Sequence, residues 1–195
     1  MPLISLGVTL KINYLYIFII FLFFAYAFPN KSLPKEPKFE YQNEKEFIVS
    51  LNNCADYLER NINKSVHIPR SIMLAQAIIE SNYGTSRFAI QGNNLFGVMT
   101  FNLEEPHLKP FKNKKSKFGA RKYETKCQSV KHYIQVLNTG SAFIEFRELR
   151  EKMLKHGILT EADVIILSGT LSKYAENKDY VNLVRKTIKS LNKNH

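Results

Sequence analysis

The stretch SIMLAQAIIES, residues 71–81, decides how this chain folds. Seven of the eight residues from Ile72 to Ile79 are apolar, and Gln76 is the exception. A helix that is apolar on nearly every side is buried in a core, because no face of it suits water. Pro69 fits the first turn of such a helix, where its missing N–H costs nothing. The sequence therefore predicts a central, buried helix.

Glu80 stands near the C-terminal end of this helix and is the only charged side chain between Arg70 and Arg87. Burial and the partial negative charge of a helix C-terminus both disfavour a carboxylate, so both raise its pKa. A carboxylic acid that stays protonated near neutral pH can protonate the leaving oxygen of a glycosidic bond. The helix alone leaves two alternatives open, an exposed helix-end residue or an ion pair with Arg87.

Apolar residues at helical intervals predict five further helices. They cover residues 44–61, 129–138, 141–156, 160–175 and 179–192, approximately. Thr125 followed by Gln128 forms a candidate capping box before the second of them. Residues 98–123 carry two prolines, many lysines and short apolar alternations, which predict a loop with a short β-hairpin. We expect a mostly helical α+β fold, since no alternating strand–helix pattern appears.

The N-terminal residues predict export of the rest of the chain. From Ile12 to Phe28 the sequence is apolar apart from Asn13 and the tyrosine hydroxyls, at the short limit of a membrane span. Ala25-Tyr26-Ala27 has the small-residue spacing that signal peptidase accepts, with cleavage after Ala27. The expected organisation is a signal peptide or N-terminal membrane anchor at 1–28, a linker at 29–43 and a globular domain at 44–195. The location expected is periplasmic or envelope-associated, at the inner membrane if the segment stays uncleaved.

Charge and cysteine content limit the partners without choosing one. The net charge of +11 and the pI of 9.6 imply an anionic partner. Nucleic acid is not expected, because the lysines are scattered through loops and the chain is exported. Cys54 and Cys127 form one disulfide or remain free thiols, and the sequence leaves both open. No metal or other cofactor is expected, since the histidines show no ligand spacing.

Three ordered motifs carry a resemblance to a known family. Residues 75–89, AQAIIESNYGTSRFA, resemble the A-Q-A-x-x-E-S-x-W/Y-G-x-S-R-F-A signature of bacterial glucosaminidases. NNLFGV at 93–98 and YAENKDY at 174–180 are similar to the N-N-L-F-G-x and Y-A-x-x-x-x-Y segments of the same proteins. Residues 129–139, with Phe146-Arg147, resemble the Bax-type branch. The chain thus resembles the mannosyl-glycoprotein endo-β-N-acetylglucosaminidase-like proteins of glycoside hydrolase family 73, in the lysozyme-like superfamily.

This resemblance implies a lysozyme-like fold, with a central buried helix and a small β-hairpin beside the substrate groove. It implies hydrolysis of the β-1,4 bond after N-acetylglucosamine in peptidoglycan by a monomer, with Glu80 as the general acid. Tyr174 matches a tyrosine near the sugar at the cleavage point and is the second catalytic candidate. The substrate-binding candidates are Gln76, Tyr83, Asn93, Asn94, Phe96 and Tyr180.

A second carboxylate is the least defined part of the expected site, although glycosidases usually use two. Glu104 and Glu105 in the hairpin region are better candidates than Glu124, and substrate assistance by the N-acetyl group is the alternative. The same scaffold also serves muramidases and lytic transglycosylases, because fold alone does not set the reaction. A non-catalytic wall-binding module is the remaining alternative, and the presence of Glu80 counts against it.

Overall fold

The computed structural model describes residues 35–60, 62–110 and 116–193. The predicted signal peptide or anchor at residues 1–28 lies outside these described residues. Among the described residues, no helix is long and apolar enough to cross a membrane.

Most of the described chain is helical. The α-helices are α1 (Glu44–Glu59), α2 (Arg70–Ser81), α3 (Arg87–Gly92), α4 (Lys126–Thr139), α5 (Ile144–Leu154), α6 (Glu161–Leu167) and α7 (Tyr180–Lys193). Short 3-10 segments cover Lys64–Val66, Ser141–Phe143 and Ser168–Lys173. The mostly helical α+β class expected from the sequence is confirmed.

Helix α2 is the centre of the fold, as its composition predicts. Its completely buried side chains are Ile72, Met73, Ala75, Gln76, Ala77 and Ser81. The helix ends where Asn82 adopts a left-handed conformation, with φ of 49°, and its N–H bonds to the carbonyl oxygen of Ile78. Tyr83 and Gly84 continue with positive φ, so the chain turns sharply away directly after the helix.

The β structure is a three-stranded antiparallel sheet with the order β1-β3-β2, rather than a single hairpin. Its strands are β1 (Met99–Thr100), β2 (His107–Leu108) and β3 (Gly119–Arg121). Met99 pairs with Ala120, and Leu108 pairs with the other edge of the same residue. Strands of two or three residues contain too few alternations for a sequence pattern to count them.

Two helix predictions need correction in detail. The helix predicted over 160–175 ends as an α-helix at Leu167 and continues as the 3-10 segment around Gly169, a residue that weakens an α-helix. Before α4, Thr125 accepts the N–H of Gln128, as expected for a cap. The Gln128 side chain bonds to the N–H of Glu124 instead of closing a capping box on Thr125.

The compact domain begins earlier than residue 44. It extends from Glu36, and the last part of the predicted linker packs onto α1. The rings of Phe39 and Tyr41 lie 5.7 and 5.3 Å from the ring of Phe47 in edge-to-face contacts. The Tyr41 hydroxyl donates to the Gly84 carbonyl oxygen at 2.7 Å, just beyond the end of α2. The prolines and mixed charge of this segment predicted a linker, although Phe39 and Tyr41 within it pack onto the domain.

Cys54 on α1 and Cys127 on α4 are joined by a disulfide, with their Cα atoms 5.4 Å apart. Both side chains are buried in the core, which excludes the free-thiol alternative in this structure. The bridge ties α1 to α4, and α4 in turn carries Tyr133 beneath the end of α2.

Candidate active site

The candidate active site is built around Glu80, on the last turn of α2. The carboxyl is half-buried, and burial raises its pKa above the ordinary value. Tyr180 hydrogen-bonds to this carboxyl and acts on the pKa in the opposite direction. Arg87, the alternative partner, donates to the backbone oxygen of Lys109 at 2.7 Å. Glu80 is therefore partly shielded from solvent, and its pKa is shifted in the direction expected from the sequence.

Gly97 lets the backbone approach the acid closely. Its φ is +64°, and a Cβ at this position would lie 3.0 Å from Oε2 of Glu80. A side chain there would meet both the strain of positive φ and the carboxylate. The turn that contains Gly97 thus forms one wall beside Glu80 and leads directly into β1.

Aromatic rings form a second wall. Tyr174 stacks on Tyr180, with ring centroids 5.7 Å apart and planes 6° from parallel, and its hydroxyl donates to the Phe96 carbonyl oxygen at 2.9 Å. Phe96 stacks on Tyr133 at 4.0 Å. Tyr174 is half-exposed, whereas Phe96 and Tyr180 are 1% and 2% exposed. Their burial corrects the expectation that Phe96 and Tyr180 bind the sugar, and both instead support the wall.

Gln76 is also placed differently from the sequence expectation. It is completely buried, one helical turn before Glu80. Its Oε1 accepts the Tyr133 hydroxyl at 2.7 Å, and its Nε2 donates to the Tyr180 hydroxyl oxygen at 2.9 Å. A side chain that is sealed in the core with both amide groups bonded cannot contact a ligand in the groove. The substrate-binding assignment of Gln76 is therefore corrected.

Asn94 organises the wall from inside. It is 1% exposed, and its Nδ2 donates to the carbonyl oxygens of Val98 and Arg121 at 2.8 and 2.9 Å. Its Oδ1 accepts the N–H groups of Phe96 and Val98. The Asn94 amide thus satisfies backbone groups that have no backbone partner in this turn, and it holds the Gly97 turn against β3. This use of both amide groups corrects the expectation that Asn94 binds sugar.

Asn93 and Tyr83 occupy turns with positive φ, which is 52° at both residues. Asn93 ends α3 and donates to the carbonyl oxygens of Tyr123 and Glu124, each at 3.0 Å. These bonds hold the turn after α3 against the residues before α4, and the sugar-binding role expected for the half-buried Asn93 stays a prediction. Tyr83 is half-exposed, and its ring lies 6.1 Å from Phe47 of α1, on the side of the domain formed by α1.

Of the candidate second carboxylates, the structure fixes Glu105 and leaves Glu104 exposed. Glu105 accepts the Thr100 hydroxyl at 2.7 Å and forms an ion pair with Arg121 at 2.5 Å. The Thr100 hydrogen bond first, and Arg121 with it, lower the pKa of the Glu105 carboxyl. Glu105 is thus held ionised in the connection between β1 and β2. Glu124 is exposed and accepts from Gln128 at the start of α4.

The tyrosines near these carboxyl groups have raised pKa values. Burial raises the pKa of Tyr174 well above its ordinary value, and the neighbouring Tyr133, Tyr180 and Glu80 raise it further. The Glu105 carboxylate acts on Tyr123 in the same direction. The two carboxyl groups thus have opposite pKa shifts, raised at Glu80 and lowered at Glu105.

Tyr133 is the residue beside the candidate acid that sequence reasoning did not single out. It lies on the apolar face of α4 with Val130 and Leu137, three and four residues away, so the pattern assigns it to the core alone. Its hydroxyl was the available signal, since a buried phenol needs a hydrogen-bond partner.

Within the described ranges, no group of three or more His, Cys, Asp or Glu side chains is arranged to hold a metal ion.

The family model described as "Glucosaminidase: Mannosyl-glycoprotein endo-beta-N-acetylglucosaminidase" matches residues 58–193, from the end of α1 through α7. The chain belongs to this family. The match contains Glu80, the Gly97 turn, the sheet and all of the tyrosines around the acid, which confirms the resemblance carried by the three motifs.

Two curated relatives and one solved structure are similar to this chain. The exo-glucosaminidase LytG of Bacillus subtilis is 30% identical over 153 residues, which are 74% of this chain and 50% of that protein. The protein bax of Escherichia coli is 34% identical over 116 residues, which are 58% of this chain and 40% of that protein. The chain therefore spans half or less of the length of these relatives.

The solved structure is the catalytic domain of the autolysin Auto from Listeria monocytogenes, with a TM-score of 0.56 and 24% identity. The alignment covers 98% of this chain and 97% of that domain. At this identity the likeness establishes the fold. It confirms the expected lysozyme-like arrangement, in which helices surround a central buried helix and a small sheet forms one wall.

Proposed function

We propose that this protein is a peptidoglycan hydrolase that cleaves the β-1,4 bond after N-acetylglucosamine, with Glu80 as the general acid. The observation that carries the proposal is a half-buried carboxyl of raised pKa at the end of the central helix, faced by Gly97 and by the Tyr174–Tyr180 wall. Membership of the glucosaminidase family supports the sugar, and the relative named exo-glucosaminidase supports the reaction.

The first chemical step belongs to Glu80. Its neutral carboxyl gives its proton to the glycosidic oxygen as the C1–O bond breaks, so the leaving sugar departs as an alcohol. Burial keeps this proton on the carboxyl at a pH where an exposed glutamate has lost it. The Tyr180 hydroxyl then stabilises the carboxylate that remains.

Glu105 is the better second carboxylate, because Thr100 and Arg121 hold it ionised and in one orientation. In this role it either activates the attacking water or stabilises positive charge at C1. Participation of the N-acetyl carbonyl is the alternative route, and it needs no second carboxylate at all. The half-exposed ring of Tyr174 provides an apolar face for the sugar at the cleavage point.

The setting proposed is the cell envelope. The Cys54–Cys127 disulfide is typical of proteins in oxidising compartments, and the net charge of +11 favours an anionic wall polymer. We propose that the protein is exported through residues 1–28, which serve as a signal peptide or as an inner-membrane anchor, and that it acts as a monomer.

Digestion of purified peptidoglycan, followed by mass analysis of the fragment ends, tests the reaction. Residues 29–195 should release fragments that end in reducing N-acetylglucosamine, and a parallel Glu80→Gln digest should release none. Reducing N-acetylmuramic acid ends would identify a muramidase. Ends carrying a 1,6-anhydro ring would identify a lytic transglycosylase. No fragments from the folded wild-type protein would contradict an enzymatic role on this polymer and favour a binding module.

A further inference from the structure

Three polar side chains lie buried beneath the candidate acid, where a core normally contains apolar residues. Gln76 and Tyr133 are completely buried and Tyr180 is 2% exposed. They come from α2, α4 and α7, so they are distant in sequence and meet only in the folded protein. Buried polar groups at this depth are costly unless they are hydrogen-bonded, and here they bond to one another in series.

The series ends on Glu80. The Tyr133 hydroxyl donates to Oε1 of Gln76 at 2.7 Å, and Nε2 of Gln76 donates to the Tyr180 hydroxyl oxygen at 2.9 Å. Tyr180 in turn hydrogen-bonds to the Glu80 carboxyl. Two hydrogen bonds thus join Tyr133, Gln76 and Tyr180, and Tyr180 is the hydrogen-bonding neighbour that lowers the pKa of Glu80.

The direction of these bonds is fixed at the buried end. Within the described residues, Gln76 is the hydrogen-bonding partner of the Tyr133 hydroxyl, so reversing the series would leave the Tyr133 O–H without an acceptor. A buried hydroxyl without an acceptor is strongly disfavoured. Tyr133 therefore donates, Gln76 presents its NH₂ group to Tyr180, and the Tyr180 O–H is directed at Glu80.

We propose that Gln76 and Tyr133 are positioning residues for Glu80: they hold the Tyr180 hydroxyl as a donor toward the acid, so that the proton of Glu80 is directed into the cleft. This inference rests on the proposed function. If Tyr180 were free to turn, its oxygen would accept the Glu80 proton and compete with the glycosidic oxygen. With the Gln76 amide occupying that side of the phenol, the neutral acid has the substrate as its acceptor.

The same bonds serve the step after proton transfer. When the Glu80 O–H bond breaks and the proton moves to the leaving oxygen, a carboxylate remains in a half-buried site. The Tyr180 O–H already points at it, so no hydroxyl has to reorient as the charge develops. Preorganised donors of this kind stabilise a developing anion without reorganisation during the reaction.

Gln76→Met and Tyr133→Phe test the proposal, since each removes the hydrogen-bonding group and keeps most of the packing volume. In folded variants we expect kcat on soluble peptidoglycan chains to fall about tenfold, the order that one hydrogen bond to a charged group contributes. KM should change little, because neither residue reaches the groove. The alkaline limb of the kcat–pH profile should move to higher pH, because the Glu80 carboxylate loses a firmly held donor.

Tyr41→Phe is the matched control, because it also removes a phenol hydroxyl, one that bonds to Gly84 outside this series. It should leave kcat and the pH profile as in the wild type. Wild-type kcat and pH profile in folded Tyr133→Phe, whose ring stack on Phe96 is retained, would overturn the proposal and leave Gln76 as a packing residue. Glu80→Gln separates the two ideas: if it retains activity, the proposed function fails. If it is inactive while Gln76→Met is normal, only this inference fails.

Discussion

The raised pKa that suits Glu80 to its proposed role as general acid has a cost in stability. Burial raises the pKa of its carboxyl, which keeps the proton available, but the folded protein then resists the charged form. The unfolded chain loses that proton at its ordinary pKa, so at neutral pH the ionisation equilibrium favours unfolding. The buried Glu80 carboxyl therefore lowers the stability of the folded protein at neutral pH.

The pH dependence of stability follows from this sign. Because the folded pKa of Glu80 is raised, its contribution is fully present below 4.5, the ordinary value, and is lost as pH rises through the folded pKa. Glu80→Gln removes the titration, so we expect the variant to gain stability relative to the wild type between pH 4.5 and neutrality. Urea unfolding at several pH values measures this difference.

Glu148→Gln, on the exposed surface of α5, is the control and should leave the pH dependence of unfolding unchanged. A difference between Glu80→Gln and the wild type that stays constant across this pH range would contradict the account. It would mean that the Glu80 carboxyl titrates alike in the folded and unfolded chains.

At the scale of elements, the turn between α3 and β1 brings the Gly97 backbone close to Glu80. It carries Gly97 to the acid, and its shape depends on the four hydrogen bonds made by Asn94. A buried amide that replaces backbone partners is expensive to remove, because its partners remain buried and unpaired.

Asn94→Ala should therefore destabilise the domain by about 2–3 kcal/mol, since several buried backbone groups lose their partner. It should also reduce activity, because the Gly97 turn then no longer has a fixed distance from Glu80. Asn53→Ala, on the exposed side of α1, should change the unfolding free energy by less than about 0.5 kcal/mol. Equal stability of the two variants in chemical unfolding would refute this role for Asn94.

The elements also show how far sequence reasoning reaches. The apolar run of α2 predicts the central helix, and the position of Glu80 on it predicts a shifted acid, because both depend on local spacing. Asn93 and Asn94 were expected to bind sugar, yet both hold backbone. An asparagine that lines a groove and one that completes a turn are identical in sequence, and only the partners distinguish them.

The Tyr133–Gln76–Tyr180 series was beyond sequence reasoning for a related reason. Its members are separated by 57 and 104 residues, and each lies on the apolar face of its own helix. Periodicity assigns such residues to the core and says nothing of which helices meet. The three-stranded sheet was also unpredictable, because its pairing of β1 with β3 joins residues about twenty positions apart through two-residue strands.

At the scale of the whole molecule, the disulfide and residues 37–43 brace α1 against the rest of the domain. The Cys54–Cys127 bridge spans 73 residues, and closing a loop of that length stabilises the fold by about 4 kcal/mol through the unfolded state. The rings of Phe39 and Tyr41 pack against Phe47 of α1. The Tyr41 hydroxyl also donates a hydrogen bond to the carbonyl oxygen of Gly84, just after the end of α2. The bridge and these contacts hold α1 and residues 37–43 against the rest of the domain.

We propose above all that Glu80 supplies the proton that breaks the glycosidic bond. The most direct measurement is the initial rate of peptidoglycan digestion as a function of pH, for wild type and Glu80→Gln. We expect the wild-type rate to fall as pH rises through a pKa above 4.5. We expect the variant to lose at least about a hundredfold in rate, the contribution typical of a general acid. A folded Glu80→Gln protein that digests peptidoglycan at a rate near that of the wild type would contradict this proposal.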